Sequence, residues 1–238
     1  MPDRLVLLHG FTQTGAAWDP VRSVLPAGRA VVEAPDLRGH GTAAGRRPIE
    51  LEALLTDLDG IVSDAVVAGY SMGGRLALAY ALHRPERVRR LVLLGASPGI
   101  ADPDERAARR AADEALARRI EARGVAVFAD EWAAMPLFAG QPPEVAAAAH
   151  QQRLEQDAAG LAAALRGLGT GTLPSLWSRL GGLALPVTLM VGERDVKFRA
   201  VASEMVSLLP DARVVVVGGA GHAAHLEAPE RMAAELLS

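Results

Sequence analysis

Short apolar runs recur along the chain, each closed by glycine, proline or aspartate: residues 5–8, 30–33, 65–68, 91–94, 187–191 and 214–217. They are continuous rather than alternating and are rich in valine and leucine, the pattern of parallel strands covered on both faces. Between several of them the apolar period becomes helical, over residues 49–58, 73–82, 200–209 and 229–237. Strands alternating with helices predict a mostly parallel, doubly wound α/β sheet.

The alternation fails between Ile100 and about Trp177, a stretch without strand-like runs and rich in alanine, arginine and glutamate. It reads as a helical cap insertion over residues 101–177, with residues 1–100 and 178–238 forming the sheet-bearing core. Pro136, Pro142 and Pro143 divide the insertion into shorter helices. Such a cap belongs over the carboxyl ends of the strands, where open α/β sheets bind ligands. Helical spacing over residues 104–120 puts Glu105, Arg109, Ala112, Leu116 and Ile120 on one stripe. Arg110, Asp113, Glu114, Ala117 and Glu121 fall on a second, more polar one.

With 238 residues, half of them hydrophobic, the chain can bury a sizeable core. A net charge of −3 argues against nucleic acid as the main partner, since phosphate binding asks for a basic surface. The absence of cysteine removes disulfides and thiolate chemistry, and no histidine–carboxylate spacing suits a closed metal site. No metal is expected to be needed. No apolar stretch reaches the roughly 18–20 residues of a membrane span, and the N-terminal residues do not read as a signal peptide. A cytoplasmic location is therefore expected. Lys197 is the single lysine among 25 basic residues.

Gly69-Tyr70-Ser71-Met72-Gly73 follows an apolar strand and opens a helical pattern. A sharp strand-to-helix turn needs small flanking residues and lifts the serine hydroxyl above the sheet, at the positive end of the helix. A serine hydroxyl needs an imidazole to take its proton, and the imidazole needs an orienting carboxylate. In this architecture the chain order is serine, carboxylate, histidine. Asp195 and His222 follow the fifth and sixth strands in that order, with Glu193 and His225 as the rival carboxylate and imidazole. The loop at His9-Gly10-Phe11 and the residue after the serine supply backbone N–H groups to an oxyanion hole, here those of Phe11 and Met72. His9 itself reads as a loop-bracing histidine, and Asp36 and Arg38 as the braces of a structured turn.

Arg75, the only charge in residues 73–82, lies one helical turn past Ser71. It either meets an anion at the floor of the site or pairs with an internal carboxylate. Arg109 shares the apolar stripe of the cap helix, and so either snorkels to solvent or faces a pocket. Arg153 shows no such pattern and by periodicity is a surface residue.

These residues resemble the α/β-hydrolase-fold synthases of menaquinone biosynthesis that make 2-succinyl-6-hydroxy-2,4-cyclohexadiene-1-carboxylate. The resemblance runs through His9-Gly10-Phe11 with Trp18, the Gly74-Arg75 continuation of the serine motif, and residues 105–113. It continues through Phe128-Ala129-Asp130-Glu131-Trp132 with Pro136 and Phe138, then Lys197-Phe198-Arg199 and Gly221–His225. It implies an α/β-hydrolase fold and a lyase that eliminates pyruvate from a small polycarboxylate without a cofactor. It also implies that Arg75, Arg109 and Arg153 bind carboxylates, with Tyr70, Trp132 and the Phe11 backbone in the pocket. The chain starts close to its first parallel strand, so leading antiparallel strands are expected to be absent or very short. The same triad can attack an ester, so a serine carboxylester hydrolase remains an alternative, as does a non-catalytic receptor for a small molecule. A haloalkane dehalogenase would need a carboxylate where Ser71 stands.

Overall fold

The computed structural model describes residues 2–238. Six strands form one all-parallel sheet: β1 (Asp3–Leu8), β2 (Ala30–Glu33), β3 (Ala65–Tyr70), β4 (Val88–Leu94), β5 (Val187–Gly192) and β6 (Ala212–Val217). Their order is β2-β1-β3-β4-β5-β6. Each apolar run of the sequence lies within one of these strands. From β1 the chain steps to β2 on one side, and β3 then pairs with β1 on the other. The winding direction therefore reverses at β1, and the loops after β1 and β3 part there to open a crevice.

Among the described residues, nine α-helices accompany the strands. Around the sheet lie α1 (Asp19–Val24), α2 (Leu51–Asp59), α3 (Met72–His83), α7 (Val196–Leu208), α8 (Ala224–Glu227) and α9 (Pro229–Leu237). Two cores result, one on each sheet face. Leu54, Leu58, Leu76, Tyr80 and Met205 fill one, and Trp18, Val21, Met232 and Leu236 fill the other. Helix α7 begins four residues before the helical period does in the sequence, because the Asp195 carboxylate caps its N-terminus by accepting from Phe198 N–H.

The remaining three helices, α4 (Pro103–Ala133), α5 (Pro143–Leu154) and α6 (Ala158–Leu168), fall between β4 and β5. Asp102 caps α4 through the amides of Asp104 and Glu105, and Gly124 breaks it with φ 80° and ψ 169°. This segment carries its own small core of Ala117, Ile120, Phe128, Leu161, Ala162 and Leu165. The second stripe of α4 is less exposed than its polarity predicts. Asp113 and Ala117 are buried, while Glu114 and Glu121 pair with Arg166 of α6. A long helix lying on α6 must cover two of its sides, and salt links let the charged residues do so at the rim.

Candidate active site

Ser71 sits on the tight bend between β3 and α3, with φ 51° and ψ −108°. Its N–H donates to Leu94 O at 2.8 Å, tying the bend to β4. A side chain does not fit two residues to either side of it. A Cβ on Gly69 would lie 2.3 Å from Gly73 O, and one on Gly73 would lie 2.2 Å from Leu8 O. The strained serine conformation is held by strands on both sides, as stored backbone strain requires.

Ser71 Oγ lies 3.2 Å from His222 Nε2, and His222 Nδ1 lies 2.6 Å from Asp195 Oδ2. The carboxylate has no proton to give, so Nδ1–H donates to it and Nε2 is left as an acceptor for the serine proton. His222 and Asp195 are almost wholly buried, so this contact meets little competition from water. Gly95, at φ +54°, makes room for the imidazole: a Cβ there would lie 2.8 Å from His222 Cε1. Glu193 points elsewhere, accepting from Gly219 N–H, and His225 is packed between the Trp18 and Tyr70 rings.

Phe11, after β1, and Met72, at the start of α3, line the same cavity as Ser71, and their backbone N–H groups are the expected oxyanion donors. Neither donates to another group among the described residues. The Gly10–Gln13 turn that carries Phe11 is braced by His9. Its Nε2 accepts from Leu37 N–H at 2.9 Å, which places the ring proton on Nδ1, 2.8 Å from Gly10 O. Burial pushes His9 down to about 4, so it braces as a neutral ring. Asp36 accepts from Gly15 and Thr42, and Arg38 forks onto Asp57, so both hold loops as expected.

Ser71 and His222 open into a cavity of about 970 Å³ between the sheet and the cap helices, with Arg75, Arg109, Lys197 and Trp132 in its wall. Arg75 is buried. Its Nη2 donates to Leu168 O at 3.4 Å, and its Nε has no partner among the described residues. Burial first, and then the Arg109 charge, lowers it to about 10, so it remains a cation at neutral pH. Arg109 is half exposed in the cavity wall and donates through Nε to Asp113 at 2.7 Å. Asp113 thus offsets one of two adjacent guanidiniums. The i,i+4 spacing from Arg109 was the sequence signal for it, overlooked because the residue falls on the polar stripe.

Arg153 and Tyr70 do not line this cavity. Arg153 is buried rather than at the surface that periodicity alone suggests. Its guanidinium lies 5.0 Å from the Phe138 ring centroid, and its Nε has no partner among the described residues. Burial lowers it, and the Tyr70 phenol opposes the shift. Phe138 in turn faces the His222 ring, with 6.4 Å between centroids. The cavity therefore has one pair of cations, Arg75 with Arg109, while Arg153 lies outside its lining, against Phe138. Trp132 joins the aromatic group of Phe11 and Phe128 in the cap. Among the described residues, no cluster of three or more histidines and carboxylates suits a metal ion, and no helix is long and apolar enough to cross a membrane.

A parallel sheet reversing at its first strand, with a serine on a strand-to-helix bend and its aspartate and histidine partners after later strands, defines an α/β-hydrolase. Residues 5–235 match the family described as "Alpha/beta hydrolase family". The chain is 36% identical over 95% of its length to a Bacillus subtilis protein provisionally named 2-succinyl-6-hydroxy-2,4-cyclohexadiene-1-carboxylate synthase, covering 86% of that protein. It is 32% identical over 98% of its length to the Escherichia coli O1:K1 protein carrying that name outright, covering 91% of it. The solved structure of MenH from S. aureus superposes with a TM-score of 0.93 at 32% identity, over 99% of this chain and 92% of the other. The chain belongs to the alpha/beta hydrolase family and, within it, to the 2-succinyl-6-hydroxy-2,4-cyclohexadiene-1-carboxylate synthases.

Proposed function

We propose that the protein eliminates pyruvate from 2-succinyl-5-enolpyruvyl-6-hydroxy-3-cyclohexene-1-carboxylate, giving 2-succinyl-6-hydroxy-2,4-cyclohexadiene-1-carboxylate in menaquinone biosynthesis. The observation that carries the reading is the buried Arg75 guanidinium in the Ser71 cavity, without a carboxylate bonded to it and with Arg109 beside it. A neutral ester offers nothing for two cations to hold there, whereas a polycarboxylate is held by them through charge-assisted contacts.

The ring double bond at position 3 is replaced by bonds at 2 and 4. A proton therefore leaves C2, next to the succinyl carbonyl, and the pyruvyl oxygen leaves C5. Ser71, its own proton passed to His222, takes the C2 proton. The freed electron pair moves through the ring and breaks the C5–O bond, and the departing enolate is protonated to pyruvate. That proton is the one His222 holds, and Ser71 keeps the proton taken from C2, so both groups return to their starting states. Asp195 keeps the imidazole in the tautomer that can accept and stabilises its cation. The Phe11 and Met72 amides hold the enolate oxygen that develops at the succinyl carbonyl. Arg75 and Arg109 orient the carboxylates and Trp132 lines the pocket, whereas Arg153 and Tyr70 stand outside its lining. The reaction is read as taking place in the cytoplasm without metal or organic cofactor.

The test follows pyruvate release from the precursor and hydrolysis of a neutral p-nitrophenyl ester, in the parent protein and in Arg75→Ala and Arg109→Ala. A lost charge-assisted contact is worth roughly 1.5–3 kcal/mol, about tenfold to a hundredfold. That loss is expected on pyruvate release, with the ester reaction much less affected. Absence of pyruvate release in the parent, or equal losses on both substrates, would favour the hydrolase.

A further inference from the structure

The turn after β1 holds a strain and a side chain that the reaction as read above does not use. Thr12 is β-branched yet has φ 72°, in the left-handed region such residues seldom occupy. Strain of this kind persists only where the surroundings enforce it. Gly10 sits two residues earlier, and a glycine leaves the flanking peptide planes free to turn. Gln13 removes that freedom at both of them. Its backbone N–H donates to Gly10 O at 3.2 Å, and its side-chain Oε1 accepts from Gly10 N–H at 3.0 Å. The Gly10 carbonyl and the Phe11 N–H belong to one planar trans peptide and point in opposite directions. Fixing Gly10 therefore aims the Phe11 N–H.

The side chain of Gln13 is itself buried and directed. With Oε1 on Gly10 N–H, its NH2 group faces His225 Nε2 at 3.5 Å, a long contact that still requires a lone pair on that nitrogen. His225 is fully buried, with ring centroids 4.3 Å from Tyr70 and 4.9 Å from Trp18. Burial, with the His222 charge adding to it, pushes His225 down to about 3, so the ring stays neutral. Its proton then sits on Nδ1, which has no partner among the described residues. A buried polar atom left unpaired has a cost; it is borne here where the opposite face of the ring orients an amide.

We propose that Gln13 is a positioning residue: by clamping Gly10 it aims the Phe11 amide at the oxyanion formed beside Ser71, and His225 fixes which way the Gln13 amide faces. This rests on the reading of Ser71 and the Phe11 amide given under the proposed function. An amide whose direction is set before the substrate arrives needs no reorganisation in the transition state, which is where oxyanion donors gain their effect.

The test compares Gln13→Met, which keeps the bulk and removes the acceptor, with Gln13→Glu, which keeps the acceptor. In the latter, His225 can switch tautomer and donate to the new carboxylate. Pyruvate release gives kcat and KM, phenylboronic acid reports the tetrahedral oxyanion adduct on Ser71, and thermal melting reports folding. Gln13→Met is expected to lower kcat about tenfold or more, below the roughly 10²–10³-fold cost of deleting an oxyanion donor outright. KM should stay within about twofold, and boronate inhibition should weaken by a factor similar to that in kcat. Gln13→Glu should recover most of both. His225→Phe, which keeps the ring packing and removes the acceptor for the amide, should give the same split at smaller amplitude, and it serves if the methionine variant does not fold. An unchanged kcat in the folded variants, a kcat loss without a boronate loss, or a glutamate variant no better than the methionine one overturns the clamp. Ser71→Ala is measured alongside. Turnover that survives it overturns the reading of Ser71 instead, whereas turnover lost there but normal in Gln13→Met overturns the clamp alone.

Discussion

A serine hydroxyl is inert near neutral pH until its proton has somewhere to go, and His222 Nε2 at 3.2 Å is the acceptor in reach. Ser71→Ala and His222→Ala are therefore expected to lower pyruvate release by about 10³-fold or more, since such groups act as one unit. Asp195→Asn separates chemistry from folding. An asparagine oxygen can still cap α7 through Phe198 N–H, but its NH2 would face His222 Nδ1 and force the opposite tautomer. Circular dichroism and melting near those of the parent, with turnover reduced by a similar order, are expected; a His222→Ala protein that folds and works normally would transfer the role to another base. The sequence brought these three residues forward as candidates because each follows a strand and stands in the order the architecture imposes. It did not show Gly95, whose role is to leave space for an imidazole that arrives 127 positions later in the chain, or the depth of Arg153. Those depend on which surfaces the cap brings together, and helical periodicity reports only one helix at a time. Where Arg109 turns Asp113 inward, periodicity is overruled by a 2.7 Å ion pair.

At the scale of elements, all six strands were visible because each carries a continuous apolar run, even the edge strands β2 and β6, whose Val31, Val214 and Val216 are exposed, whereas short helices such as α1 and α8 carry too few turns to leave a period. The link between the cap and the sheet loops was not visible at all. Arg194, beside Asp195, donates to Gly140 O in the α4–α5 connection at 2.5 Å and to Glu227 at 2.6 Å. Glu227 is buried and also accepts from Gly221 N–H, next to His222. One guanidinium thus ties the connection at residues 139–142 to the loops that carry Asp195 and His222. In Arg194→Ala the connection loses a tether, while α4 and α6 keep their own apolar core. Hydrogen–deuterium exchange should accelerate in peptides covering residues 136–142 and stay unchanged within residues 158–168. A uniform rise along the cap would mean that Arg194 supports the whole cap rather than its connection.

For the molecule as a whole, the buried histidines set how folding responds to acid. His9, His40 and His225 are fully buried, and burial first of all holds them at about 4, 3 and 3, against 6.5 for a free imidazole. The charge of His9 lowers His40 further, so the first two titrate as a coupled pair. In the unfolded chain all three take up protons once the pH falls below about 6.5. The folded chain does not until near 3–4. Below 6.5 the unfolded state binds more protons, so stability rises with pH across this window. The contribution of these neutral rings is complete above 6.5 and is lost progressively as the pH falls through the folded values. Each unit of depression is worth about 1.4 kcal/mol, so by pH 5 each histidine has withdrawn about 2 kcal/mol. The melting temperature should therefore fall steeply between pH 7 and pH 5. The slope should be shallower in His225→Phe, which removes one titrating ring and keeps an aromatic between Trp18 and Tyr70. Because stability itself is compared across pH, a general loss of packing in the variant shifts the curve without flattening it. A His225→Phe protein with the parent's slope would show that His225 is protonated alike in the folded and unfolded states, and the neutral, amide-facing ring inferred for it would fall with that result.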